Sequence, residues 1–137
     1  MRDIDTIIVH CSATPPDMDI GVKEIRRWHV EERGWSDVGY HYVIRRDGRI
    51  GDGRPINKIG AHARGYNRSS IGICLVGGVN KDGKPDANFS VEQYNSLRLL
   101  INHLKGTYDI DNIIGHRDVS YKECPCFSIQ GLMRIGE

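Results

Sequence analysis

The sequence predicts a single α/β domain in which helices flank a central mixed β-sheet. Three observations carry that expectation. Short apolar, β-branched runs alternate along the chain with amphipathic stretches, the pattern of a largely parallel sheet covered by helices. One hairpin signal, Asp47-Gly48 after an apolar run, adds an antiparallel pair and makes the sheet mixed. The chain has 137 residues, room for one domain and for a core that needs no disulfide staples.

Each element follows from local pattern. Thr6-Ile7-Ile8-Val9 is a short β-branched run that suits a buried strand, and Cys11-Ser12-Ala13-Thr14-Pro15-Pro16 ends it as a loop. Val22, Ile25, Trp28 and His29 recur on one helical face, opposite Lys23, Glu24, Arg26 and Arg27, and Gly34 stops that helix. Tyr40 to Arg45 reads as a strand that turns at Asp47-Gly48 into Arg49-Ile50. Ile71 to Val76 is another apolar strand, closed by Gly77-Gly78. Ser90-Val91-Glu92-Gln93 fits a capping box, and Tyr94, Leu97, Leu100, Ile101 and Leu104 then share one helical face. Asn112-Ile113-Ile114 is the last short strand. No repeat, low-complexity tract or Pro/Ser-rich linker divides the chain.

Composition excludes several classes of function. Lys+Arg 19 against Asp+Glu 18 leaves a net charge of +1, which gives no electrostatic footprint for nucleic acid or an anionic membrane. No window approaches the ~18 consecutive apolar residues of a membrane span. Asp3 and Asp5 interrupt the start, and the first apolar run stops at His10, unlike a secretory signal. The expectation is a protein that is cytoplasmic when synthesised, with Cys11, Cys74, Cys124 and Cys126 as reduced thiols. Phosphate-cradling glycine motifs and a Gly-x-Ser-x-Gly elbow are absent; Val76-Gly77-Gly78-Val79 reads as a turn after a strand. In Cys124-Pro125-Cys126 a single proline parts the thiols, which does not match the two-residue spacing of a redox pair.

The histidines sort by position. His103 falls off the apolar stripe of its helix and reads as solvated, while His29 lies on the stripe beside Trp28 and reads as a half-buried structural residue. His10 ends the first strand, His116 follows the last, and Cys124 lies in the loop beyond. In open α/β sheets the binding crevice forms at such strand ends. Two imidazoles and a thiolate are the composition of a catalytic zinc site with one open position. Spacing alone leaves this beside a plainer reading, two polar loop histidines and a reduced cysteine, because over a hundred residues separate His10 from the other two.

Five blocks occur in order: Val9-His10-Cys11-Ser12-Ala13-Thr14; Val38-Gly39-Tyr40-His41-Tyr42; Ala61-His62-Ala63-Arg64-Gly65-Tyr66-Asn67; Ser70-Ile71-Gly72-Ile73-Cys74-Leu75-Val76-Gly77-Gly78; and Gly115-His116-Arg117-Asp118-Val119 with Lys122-Glu123-Cys124-Pro125. This series resembles the type-2 N-acetylmuramoyl-L-alanine amidases, in particular the small phage lysozyme-like amidases; peptidoglycan recognition proteins share their fold. The resemblance runs from about Ile7 to Phe127. It implies a central mixed sheet with zinc in a surface groove, and one amidase domain over residues 1–137. His10, His116 and Cys124 are the implied ligands of one catalytic Zn2+. Tyr40 and Lys122 match the catalytic tyrosine and lysine, and His62 lies in the block that borders the substrate groove, as a substrate contact. The implied substrate is peptidoglycan or a muropeptide, cut at the amide between N-acetylmuramic acid and L-alanine. A monomer without nucleic-acid or membrane partners is expected, in a phage-type endolysin that acts on the cell wall once released.

Two alternatives stand beside it. One is a non-catalytic peptidoglycan-binding module, a class that commonly loses the zinc cysteine, whereas Cys124 is present here. The other is a cytoplasmic muropeptide-recycling amidase, which differs only in substrate. The sequence departs from the phage pattern after Pro125, where Cys126 and Phe127-Ser128 stand in place of the serine and Phe-Asp often found there. Strand alternation places the Tyr40 ring opposite His41, which either supports the site from behind or packs.

Overall fold

The computed structural model describes residues 2–118 and Cys124. Strand β1 (Thr6–Cys11) pairs in parallel with β4 (Ser70–Leu75) on one side and with β5 (Asn112–Gly115) on the other. β2 (Tyr42–Ile44) extends the sheet in parallel beyond β4, and β3 (Ile50–Asp52) closes the edge as its antiparallel hairpin partner. The order is β3-β2-β4-β1-β5, the mixed sheet that the sequence predicts. Every residue of β1 and β4 is buried, as parallel strands covered on both faces require.

Alternation along these strands divides the core in two. Ile7, Val9, Cys11, Ile44, Ile71, Ile73 and Leu75 pack with Leu97, Leu100, Ile101 and Leu104 of helix α2 (Val91–Thr107). Val43, Cys74 and Val76 pack with Ile25 of helix α1 (Val22–Arg27) and with Val38. The expected capping box opens α2: Ser90 Oγ accepts from the Gln93 N–H at 3.1 Å, and Gln93 Oε1 accepts from the Ser90 N–H at 2.9 Å. The buried Gln93 amide then donates to the Ile44 and Val76 carbonyls at 3.1 and 2.9 Å, tying α2 to the ends of β2 and β4.

Three differences from the sequence reading bear on the site. β1 runs on to Cys11, so His10 sits inside the strand. The first helix ends at Arg27 and continues as one π turn, Trp28–Glu32, before Gly34 takes a φ of +72°. β2 starts at Tyr42, not Tyr40, because a side chain takes over the next ladder position. The Gly72 N–H donates to His41 Nδ1 at 3.0 Å, and the Gly39 carbonyl accepts instead from Ala61 at 3.0 Å. Released from strand alternation, Tyr40 packs with the Val43 and Cys74 cluster, and its ring reaches His10. Both residues precede the strand, so strand alternation does not set the placement of Tyr40 against His41. Among the described residues no helix is long and apolar enough to cross a membrane.

Candidate metal centre

Parallel pairing of β1 with β5 brings their C-terminal ends to the same edge of the sheet, and with them His10 and His116. The two imidazole rings lie 4.4 Å apart, centroid to centroid. A turn at His116–Asp118 follows, closed by the Gly115 N–H donating to Asp118 Oδ2 at 2.8 Å. Cys124 returns to this edge: the Cys11 N–H donates to its Sγ at 2.7 Å, and its carbonyl accepts from the Arg117 N–H at 2.6 Å. One nitrogen each from His10 and His116 and the Cys124 Sγ lie within 4.8 Å of one another. Two imidazole nitrogens and a soft sulfur form a donor set that fits zinc.

The neighbouring Cys11 thiol and burial push the Cys124 thiol up. In the metal-free site it therefore keeps its proton, which a cation must displace to bind.

Tyr40 lies beside this group, its ring 5.1 Å from that of His10. Burial, with the Cys74, Cys124 and Cys11 thiols near it, holds the phenol well above its usual range, so the hydroxyl remains a donor at neutral pH. His29 braces Tyr40 from the other side, with ring centroids 5.6 Å apart, and its Nδ1 accepts from the Gly39 N–H at 2.9 Å. It is buried rather than half-buried, because the π turn carries it inward against Trp35. Desolvation lowers the His29 pKa to about 4. His103 is exposed on α2, as expected.

A further layer of histidines stands behind His10. His62 Nδ1 is 2.8 Å from His10 Nε2, with the rings edge to face, and His62 Nε2 is 3.2 Å from Ser70 Oγ. The backbone N–H groups of His62 and Ala63 both donate to Asn67 Oδ1 at 2.9 Å. His41 sits beyond, its Nδ1 accepting from Gly72 and its Nε2–H donating to the Lys58 carbonyl at 2.8 Å. Burial lowers the His41 pKa to about 4 and the His62 pKa to about 3, so both imidazoles are neutral at neutral pH.

His10, His116, Cys124, Tyr40, His29 and His62 line a cavity of about 510 Å3 at the sheet edge. Arg33 and Arg64 stand on its wall, and no Asp or Glu lines it among the described residues. Trp35 fixes Arg33, whose guanidinium carbon lies 5.2 Å from the centre of the indole ring. A smaller cavity of about 280 Å3 adjoins it and shares Ser12, His29, Arg33 and Tyr40. The structure thus gathers His10, His116, Cys124, Tyr40 and His62, while Lys122 and Cys126 lie outside the described residues. The sequence reading gives no role to Arg33, nor to Arg64, Asn67 and Ser70, although these three lie within its blocks; the local signal for Ser70 is Gly72, which interrupts an apolar strand, the mark of a close approach.

The sequence pattern of the N-acetylmuramoyl-L-alanine amidase family matches residues 1–127. The chain belongs to that family. This amidase is 47% identical over 136 residues to the endolysin of Enterobacteria phage K11, covering 99% of this chain and 89% of that protein. It is 50% identical over 126 residues to the endolysin of Escherichia phage T7, covering 92% of this chain and 83% of that one. Among solved structures, the amidase LysC from Clostridium intestinale superposes with a TM-score of 0.84 at 32% identity, over 98% of this chain and 85% of that one. The amidase shares its fold with the Clostridium enzyme, and the family assignment agrees with the fold and function that the sequence blocks imply.

Proposed function

We propose that this amidase is a zinc hydrolase of the phage-endolysin type, which cuts the amide between the lactyl carbonyl of N-acetylmuramic acid and L-alanine in peptidoglycan. The observation that carries the proposal is the convergence of His10, His116 and Cys124 at one sheet edge, open to a cavity. These three residues hold the ion, and residues 1–137 work as one domain in a monomer. Bound there, zinc supplies a Lewis acid and a water molecule acidified towards a pKa of about 7.

The chain's own groups do the rest. Tyr40, still protonated, points a hydrogen-bond donor at the reacting carbonyl or at the attacking water, 5.1 Å from His10 by ring centres. Lys122, two residues before Cys124, places a cation near the developing oxyanion, a contribution of about 2.7–4 kcal/mol by analogy with a single oxyanion donor. Arg33 and Arg64, on a wall free of described carboxylates, bind the acidic groups of the peptide stem. Neutral His29 adds no cation that would repel Arg33.

Digestion of purified peptidoglycan tests the proposal. Free L-alanine amino termini without new reducing sugar ends are expected, together with about one zinc per chain in the purified protein. New reducing ends without new amines overturn the assignment. Clearing of intact walls separates an endolysin from an enzyme that accepts soluble fragments alone, and binding without cleavage marks a recognition module.

A further inference from the structure

His62 has no ring nitrogen left for a substrate. Its Nδ1 faces His10 Nε2 at 2.8 Å and its Nε2 faces Ser70 Oγ at 3.2 Å. The ring is also held in place from behind. Asn67 Oδ1 accepts from the His62 and Ala63 N–H groups, and Gly72 of β4 leaves the space in which the ring lies. A Cβ built on Gly72 falls 2.6–2.8 Å from three atoms of the His62 ring. A side chain anchored on so many sides fixes the orientation of whatever it bonds to.

Proton accounting gives the bond a direction. Nε2 of His10 faces His62, so a metal held by His10 together with this contact takes Nδ1. A neutral imidazole that offers Nδ1 carries its proton on Nε2. That proton is donated to His62 Nδ1, so His62 carries its own proton on Nε2 and donates it to Ser70 Oγ. The opposite direction protonates His10 Nδ1 and removes it as a ligand. Only one of the two tautomer chains is compatible with a metal at His10.

We propose that His62 is a positioning residue: through its bond to His10 Nε2, with Ser70 behind it, it holds His10 in the tautomer and ring orientation that present Nδ1 to the metal. This rests on the zinc reading above. His62 acts through His10 and not on the substrate, which sets it apart from the groove contact that the family resemblance implies for this position.

The test begins with zinc affinity of the wild-type protein, by chelator competition. Absence of binding there refutes the zinc reading and leaves the His62 question to fall with it. With wild-type binding established, His62→Phe keeps a ring and removes both nitrogens. Zinc affinity is expected to fall about 10- to 100-fold, the usual cost of losing such an outer partner. KM for a soluble muropeptide at saturating zinc stays within about twofold, because uniform substrate binding is untouched. The visible spectrum of the cobalt-substituted protein shifts as the ligand field changes. His62→Gln, whose Oε1 can accept from His10 Nε2–H, recovers most of the affinity. Unchanged zinc affinity with a raised KM overturns the proposal and makes His62 a substrate contact. If His62→Phe shows no cooperative unfolding, Ser70→Ala decides. It leaves the His62 Nε2–H without its acceptor, and zinc affinity is expected to fall about 3- to 10-fold, the scale of one buried hydrogen bond; unchanged affinity overturns the proposal.

Discussion

Gly72→Ala is a one-carbon perturbation whose sign depends on a neighbour. Gly72 lies inside β4, opposite Ile8 of β1, in extended backbone that alanine adopts freely. On backbone grounds alone the substitution stabilises by about 0.5–1 kcal/mol, since glycine loses the most chain entropy on folding. The His62 ring reverses this. Its Cγ, Cδ2 and Nδ1 lie 2.6, 2.6 and 2.8 Å from the new carbon, closer than carbon and nitrogen can pack. Overpacking of a tight site costs about 1–3 kcal/mol. A displaced ring also gives up its bonds to His10 and Ser70, about 1 kcal/mol each. The expected net loss is about 2–4 kcal/mol, or about 8–16 °C in Tm at ~4 °C per kcal/mol for a domain of this size.

The decisive measurement is a double-mutant cycle on metal-free protein, read by urea unfolding. In a His62→Ala background the ring is gone, and with it the three nearest contacts of the added methyl group. There Gly72→Ala should be neutral or slightly stabilising. The backbone gain cancels in the cycle, so coupling between the two positions is about 3–5 kcal/mol, far above the ~0.5 kcal/mol scatter of independent sites. Equal destabilisation in both backgrounds would falsify the claim that this glycine exists to seat His62.

Tyr40→Phe and Lys122→Ala are each expected to lower turnover by one to three orders of magnitude, about 1.4–4 kcal/mol on the barrier, with zinc content unchanged; activity near wild type in both means the metal acts without them. Cys124→Ser should lose most bound zinc and nearly all hydrolysis, because a largely protonated hydroxyl is a poor ligand, whereas Cys126→Ser should keep both. Metal analysis with a wall-clearing assay settles which cysteine is the ligand. Metal-free protein should lose stability in mild acid. His41 is 2% exposed and its pKa is lowered from 6.5 to about 4, so between those values the unfolded chain holds protons that the folded chain refuses. Its contribution is complete above pH 6.5 and fades as pH falls towards 4, by about 3 kcal/mol; a flat urea midpoint across that range refutes the burial argument.

Periodicity was sufficient for the frame of the fold. Thr6–Cys11 and Ser70–Leu75 sit within two residues of where β-branched runs put them, and Val91–Thr107 begins at its capping box and runs three residues past its apolar stripe, because all three bury a continuous face. The hairpin strand is shorter than its pattern suggests, by two residues at its start and one at its end. Nothing in Tyr40-His41 reports that an imidazole, and not a carbonyl, will take the Gly72 N–H. The metal group shows the same boundary. Residue types named His10, His116 and Cys124 as zinc-like donors, but their union depends on β1 lying between β4 and β5, a long-range pairing that spacing does not contain.

Gly72 marks where legibility stops. An isolated glycine in Ile71-Gly72-Ile73 is a local signal that something approaches the strand closely. The approaching group, His62, comes from a loop stretch with no period to read, held by Asn67 and not by packing on a helix face. The sequence therefore marks the vacant side of the strand but not what occupies it. His10 carries the same asymmetry: its residue type makes it a metal donor, and a partner 52 residues away decides which nitrogen it offers. Chemistry that depends on a tautomer is thus written in tertiary contacts, and the arrangement of His10, His62 and Ser70 is where this fold writes it.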